Sequence, residues 1–299
     1  MSEDTPIQHL FGWRGVDDVQ RSFAGRFSPL AIAAPRLVGG PSDSQPILLY
    51  KAWREVLGKD PEYPAQQIGD CVSFGHGHGN DLLQCVEIGL GEAAIYRETD
   101  TEFIYATSRE VAGILGRQDG SYGAAAVQAM MAVGMVSRAM LGSDGTYSGQ
   151  RAKAWGLSGA PEAIKAEAAP FKLGSAAQVT TWDELVGAVR NGYPVTICTA
   201  QGFTLERDGD GFCRARGRWG HCMFIAGVRF DRPGACIIQS WGPDTPTGPR
   251  GLDQPSFSFW ADRSVIERIL DEGDSWALSK SPAFEERELP PAWKYHDAA

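Results

Sequence analysis

Two short segments of this 299-residue chain carry a thiol and an imidazole in settings that prepare them for covalent chemistry. The first runs Gln66-Gln67-Ile68-Gly69-Asp70-Cys71-Val72-Ser73-Phe74. The second runs Gly220-His221-Cys222-Met223-Phe224, followed by Ile237-Ile238-Gln239-Ser240-Trp241-Gly242. They lie about 150 residues apart, a separation met in thiol hydrolases. A thiol attacks a carbonyl well only as the thiolate, and a free cysteine ionises near pH 8.5. A helix N-terminus and a neighbouring imidazolium both lower that value. Gly69-Asp70 forms a turn directly before a helical run, which places Cys71 at the positive end of a helix. Acyl transfer also needs donors aimed at the developing oxyanion. The side chain of Gln66 or Gln67, with the Cys71 backbone N–H, meets that need. The competing assignment for Cys71 is a buried, inert thiol within a helix.

Gln-x-x-Gly-x-Cys-x-x-Phe resembles the active-site segment of the papain-like (C1-type) cysteine peptidases, in the divergent form found in bacteria and bacteriophages. Gly220-His221 leading into an apolar strand is similar to that family's His segment. Gln239-Ser240-Trp241-Gly242 is similar to its Asn-Ser-Trp-Gly segment. Phe103-Ile104-Tyr105 through Ser108-Arg109, Asp119-Gly120-Ser121, Gly134-Met135-Val136 and Asn191 to Val195 resemble the portions between, so roughly residues 48–280 are covered. The resemblance implies an α+β, two-lobed papain-like fold, with a helical left lobe and an antiparallel, barrel-like β-rich right lobe. It implies Cys71 as nucleophile and His221 as the base that later protonates the leaving amine. Gln239 would orient the imidazole, Trp241 would shield it, and Gln66 or Gln67 would complete the oxyanion hole. Substrate would lie in a groove lined by Gly69, Trp241 and Arg218.

The sequence departs from the family at three places. The family's glutamine stands six residues before the cysteine, where this chain has Ala65, and Gln66 is one residue closer. Gln239 replaces asparagine, and its extra methylene moves the amide by a bond length. Ile68 replaces the cysteine that anchors a disulfide beside the site. The activity implied is hydrolysis of peptide bonds in a peptide or protein substrate, without cofactor or metal. Two alternatives stand beside it: a catalytically inactive papain-like structural protein of a phage or other large assembly, and a peptidoglycan amidase.

Bulk properties narrow the setting. The net charge of −9 excludes a general attraction to nucleic acid or anionic membrane. No run approaches the ~20 apolar residues that cross a bilayer, and Met1-Ser2-Glu3-Asp4 does not open a signal peptide. Cysteines 71, 85, 198, 213, 222 and 236 are scattered, as expected of free thiols in a reducing compartment, here a host cytoplasm or a virion. No CxxC pair points to structural zinc. His76 and His78 are two residues apart, which puts them on different faces of a helix, and the glycines at 75, 77 and 79 point to close backbone packing rather than a metal site. Glu206-x-Asp208-x-Asp210-Gly211 opens like a calcium loop, but its twelfth position is Gly217, so it reads as a hairpin turn. Arg214, Arg216 and Arg218 alternate, so a regular strand would gather them on one face as a basic rim for acidic substrate positions.

The elements that must position Cys71 and His221 follow from the pattern. Residues 1–47 form an extended arm, rich in proline and broken at Gly39-Gly40-Pro41-Ser42, expected to wrap the body and to dock onto virion or assembly proteins. Residues 48–170 form the helical lobe with Cys71, with helices expected at 48–57, from Cys71 past Val86, at 102–115 and at 123–135. Asp144 to Gly174 reads as a linker. Residues 171–281 form the β-rich lobe with His221. There Thr181-Trp182-Asp183-Glu184 is a capping box that opens a helix, and strands are expected at 194–198, 222–230, 235–239 and 256–260. Residues 282–299 read as a surface tail.

Overall fold

A computed structural model describes residues 8–28, 30 and 45–294, with only the backbone of Ser143 and Asp144. Met1-Asp4 and the Gly39-Ser42 break lie outside the described residues.

Helices dominate the first part of the chain. They are α1 (Asp18–Ala24) in the arm, α2 (Lys51–Leu57), α3 (Cys71–Gly89), α4 (Thr101–Val111), α5 (Gly123–Ala132), α6 (Gly149–Ser158) and α7 (Glu162–Ala168). The helix expected from Leu48 begins only at Lys51. Ile47 and Leu48 instead form β1 (Ile47–Leu48), and Gly58 ends α2 in a left-handed conformation. Asp144 to Gly174 is not a linker. Its alanine-rich stretches form α6 and α7, which cover Phe103, Ala106, Val136, Ala160 and Ala168, a small cluster apart from the main core.

The second part builds a sheet from β2 (Ser175–Gln178), β3 (Val195–Phe203), β4 (Ala215–Arg229), β5 (Gly234–Ile238), β6 (Ser258–Asp262) and β7 (Ser275–Ser279), with α8 (Trp182–Arg190) and α9 (Arg263–Asp271) between strands. The Thr181/Glu184 capping box opens α8. Every strand pair is antiparallel, in the order β2-β7-β3-β4-β5-β6, with β1 added to β4. β2 and β6 are edges, so the sheet is open. That corrects the barrel-like closure expected of the second lobe. The segment from 282 to 294 is mostly exposed but is anchored at two places: Leu289 and Trp293 are buried, and the Trp293 indole donates to Glu55 Oε2 at 2.6 Å.

α3 holds the two parts together. It is buried from Cys71 to Glu87, packed on β4 along one side and on α2 and α4 along others. Interior glycines cost a helix about 1 kcal/mol each relative to alanine, and here the packing explains them. A Cβ on Gly75 would lie 2.8 Å from Cys222 Sγ and 3.1 Å from the Met223 carbonyl of β4, and one on Gly77 would lie 3.0 Å from Thr101 of α4. The two histidines between these glycines face different surroundings. His76 bonds Thr196 of β3 through Nε2 at 3.1 Å, whereas His78 stacks on Tyr63 with ring centres 3.5 Å apart. Among the described residues no group could hold a metal ion and no helix is long and apolar enough to cross a membrane.

This packing sets an expectation. Gly75→Ala should lower stability by roughly 1–3 kcal/mol, the usual range for overpacking. Gly209→Ala, where nothing lies within 4 Å of the added methyl, should change it little. Urea unfolding of the two variants measures the difference, and equal midpoints would contradict the close α3–β4 contact.

Candidate active site

Cys71 is the first residue of α3, and the sequence places it there through the Gly69-Asp70 turn. Asp70 is buried beside it and accepts a hydrogen bond from the Tyr147 hydroxyl at 2.8 Å, while burial pushes its carboxyl well above the usual range. His221 arrives from β4. Two β-bulges interrupt the β3–β4 ladder, between the pairs Thr199/His221 and Gln201/Arg218 and between Gln201/Arg218 and Phe203/Ala215. In each interval β4 advances three residues while β3 advances two. The first bulge contains Gly220 and turns its carbonyl out of the ladder. That carbonyl lies 3.8 Å from Cys71 Sγ.

The structure therefore brings the two segments together, but with both groups uncharged. Both are buried. Burial drives the Cys71 thiol far above its ordinary value, and the Cys222 thiol adds to the effect, against a weaker pull from the Cys222 and Gly12 backbone amides. Burial pushes His221 down to about 3. Neither ring nitrogen of His221 has a hydrogen-bond partner among the described residues. Trp241 stacks on the imidazole with ring centres 4.4 Å apart, and Trp219 closes over Trp241 at 4.7 Å.

What fills the space is the arm. Its backbone runs through the cleft in extended form, bonded on both sides. The Gly12 and Trp13 amides both donate to the Gly220 carbonyl at 2.9 Å. On the opposite wall the Ser121 amide donates to the Gly12 carbonyl at 2.8 Å, and the Arg14 amide to the Ser121 carbonyl at 3.1 Å. Only glycine fits at position 12, because a Cβ there would lie 2.0 Å from the Gly69 carbonyl. Phe11 packs against Trp219 and Trp241, and the Trp13 indole donates to Asp274 Oδ2 at 2.8 Å.

The other expected residues are placed as follows. Gln66 is buried, and its amide nitrogen donates to the Leu10 carbonyl of the arm at 2.7 Å and to the Ile68 carbonyl at 2.8 Å; its oxygen accepts from the Ser240 hydroxyl. Gln67 points elsewhere, accepting from the Gly149 amide at 3.0 Å. Gln239 does not reach His221. Its extra length folds the amide onto its own loop, where it accepts from the Trp241 amide and donates to the Thr245 carbonyl. Gly69 forms the cleft wall beneath the arm. Arg218 is exposed on β4 between the two bulges, and Gly217, with φ of +69°, breaks the alternation that would align it with Arg214 and Arg216.

Three participants escaped sequence reasoning. The aromatic-Gly-aromatic triplet Phe11-Gly12-Trp13 was the one signal in the arm. Asp274, the last carboxylate before β7, is buried and receives the Trp13 indole, the Gly123 amide and the Trp276 indole, and so ties the arm to α5. Cys222 lies 3.8 Å from His76 Nδ1, across the ladder from Cys198. It is the one cysteine pulled down, to about 7: burial opposes ionisation, but hydrogen bonds from Cys198 and His76 outweigh it. Packed under Gly75, it has no open approach.

The buried imidazole has a consequence in acid. Because His221 is held neutral in the folded state, the stability this gives is complete above pH 6.5 and is lost as pH falls toward about 3. The loss is about 1.4 kcal/mol per pH unit. Relative to His221→Gln, the wild type should lose stability progressively between pH 6.5 and 4. Denaturant unfolding of both proteins across that interval checks this; parallel curves would contradict it.

No protein-family model matches the chain, and no curated protein matches it in sequence. Solved structures do. Xylellain, a cysteine protease from Xylella fastidiosa, superposes with a TM-score of 0.65 at 14% identity, covering 91% of this chain and 96% of that one. The cysteine protease Amb a 11 of ragweed pollen, in its proform, gives 0.57 at 15% identity, with 92% and 78% covered. Digestive procathepsin L 3 of Tenebrio molitor larval midgut gives 0.52 at 11% identity, with 90% and 83% covered. Likeness at this level of identity speaks for the fold, and the fold is that of the papain-like cysteine proteases.

Proposed function

We propose that this chain is a papain-like cysteine peptidase whose own residues 10–14 hold it latent. The observation that carries the reading is the extended arm backbone bonded between Ser121 and Gly220 directly over Cys71. A peptide backbone already occupies the cleft in the manner a substrate strand requires. The arm also takes the Gln66 amide, through the Leu10 carbonyl, that an oxyanion would need. With the arm withdrawn, water reaches the site and the burial that keeps both groups neutral is relieved. His221 then removes the thiol proton, and the Cys71 thiolate attacks the peptide carbonyl. The tetrahedral intermediate collapses as His221 protonates the leaving amine. Water, deprotonated by His221, attacks the acyl-thioester and releases the acid and the thiol. Gln66 and the N–H groups at the start of α3 are the donors for the oxyanion. Trp241, stacked on the ring, is the group that orients His221.

The test uses fluorescein-labelled casein and iodoacetamide. The full chain should be nearly inert in both assays, since all six cysteines are buried. Gly12→Ala, which cannot seat the arm, and removal of residues 1–16 should each speed Cys71 alkylation and casein hydrolysis about tenfold or more. Cys71→Ala should abolish hydrolysis in both backgrounds. Folded variants that alkylate quickly yet cleave nothing would refute the peptidase assignment, whereas unchanged alkylation would refute latency.

A further inference from the structure

α3 carries a second site far from its catalytic end. Beginning at Asn80, roughly 14 Å along the helix from Cys71, it lines a pocket of about 190 Å³. Asn80 and Glu87 come from α3, Arg97 from the segment before α4, Met135 from the turn after α5, Phe171 from the segment after α7 and Lys280 from the end of β7.

The pocket holds unmatched polar groups of both kinds. Burial lowers the Lys280 ammonium from its ordinary value; the Glu87 and Asp81 charges oppose that shift, and the Arg97 charge adds a smaller push in the same direction as burial. Among the described residues neither cation has a carboxylate within 4 Å, and the Arg97 guanidinium instead lies 5.3 Å over the Phe171 ring. Gln84 fixes the Arg97 backbone, bonding its amide at 3.1 Å and its carbonyl at 3.0 Å, while the residue as a whole is exposed. A ligand carboxylate can therefore approach both cations without displacing an ion pair. The acceptor side is equally incomplete. Thr99 gives its hydroxyl proton to Asp81 at 2.6 Å, so its oxygen must accept from Asn80 Nδ2 at 2.9 Å. That fixes the amide orientation and leaves the buried Asn80 Oδ1 without a donor. Glu87 is buried too, and its ion-pair partner, Arg287, stands 3.7 Å away. Between these groups the walls are apolar, with Met135 and Met140 as adaptable thioethers beside Phe171.

We propose that this pocket binds a free L-α-amino acid with an aliphatic or thioether side chain. Its carboxylate lies between Arg97 and Lys280, its ammonium at Asn80 Oδ1 and Glu87, and its side chain against Met135, Met140 and Phe171. The assignment is independent of whether Cys71 is active. Isothermal titration of the full chain with L-leucine tests it, alongside 4-methylpentanoate, which lacks the ammonium, and isopentylamine, which lacks the carboxylate. L-leucine should bind one to one and both analogues about tenfold more weakly or worse. Arg97→Gln and Lys280→Gln should each weaken L-leucine about tenfold, with unchanged unfolding midpoints. Met140→Trp, which fills the pocket without touching a charge, should abolish binding. No saturable binding of L-leucine or L-methionine up to about 10 mM would overturn the proposal. So would equal affinity in folded Arg97, Lys280 and Met140 variants. Binding of 4-methylpentanoate as tight as that of L-leucine would overturn the amino-acid assignment in favour of a simple carboxylate.

Discussion

The close approach of α3 to β4 is the constraint on which the rest depends. A helix can run this near a strand only where its side chains vanish, and at Gly75 the space a methyl would take is held by the Cys222 sulfur. The helix is thereby fixed against the strand that carries His221, and its first residue is fixed against the Gly220 bulge. β4 in turn pairs with β1, β3 and β5, so the position of the imidazole is set by the central strand of the sheet. Neither group of the pair is placed by a loop. The geometry is owed to backbone packing, and that is why it persists although the amides that usually assist it are engaged elsewhere.

The closed cleft keeps its chemistry uncharged. Thiol and imidazole are driven in opposite directions by the same cause, the removal of water, and each is left in its neutral form. The arm does this with main-chain atoms: two amides on one carbonyl, and one amide and one carbonyl on Ser121. Backbone contacts of this kind set little demand on sequence except at Gly12, where the opposing Gly69 carbonyl leaves no room for a side chain. Side chains add further anchors: Asp274 takes the Trp13 indole, Asp17 accepts from the Tyr122 hydroxyl and Gln20 accepts from the Ala124 amide.

How much of this was legible in the sequence can be argued residue by residue. The start of α3 was readable because a Gly-Asp turn precedes a long apolar run, and α8 because the Thr181/Glu184 box is a local signal. The approach of Cys71 to the segment of His221 was readable only through family resemblance, since contacts across about 150 residues leave no local trace. α6 and α7 were hidden by glycine and alanine, which lower amphipathic contrast. α9 was legible in principle, with Val265, Ile266, Ile269 and Leu270 at helical spacing, whereas β7, Ser-Trp-Ala-Leu-Ser, holds no β-branched residue. The Gln239 orientation was not readable at all. One methylene decides whether an amide reaches across to an imidazole or turns back onto its own loop, and composition does not report that choice. The bulges in β4 are likewise a property of pairing, so the alternating arginines suggested a single face that the ladder does not preserve.

The two ends of α3 are fastened by segments remote in sequence, and the fastenings differ in kind. At the Cys71 end the arm is held by main-chain hydrogen bonds, by Phe11 and Trp13, and by α1, where Asp17 accepts from the Tyr122 hydroxyl and Gln20 from the Ala124 amide. At the far end Trp293 is fully buried, its ring packed where Gly89 leaves space for it and its indole bonded to Glu55. The two segments also differ in what they cover: the arm lies over Cys71, whereas Trp293 covers the Gly89 end of the helix.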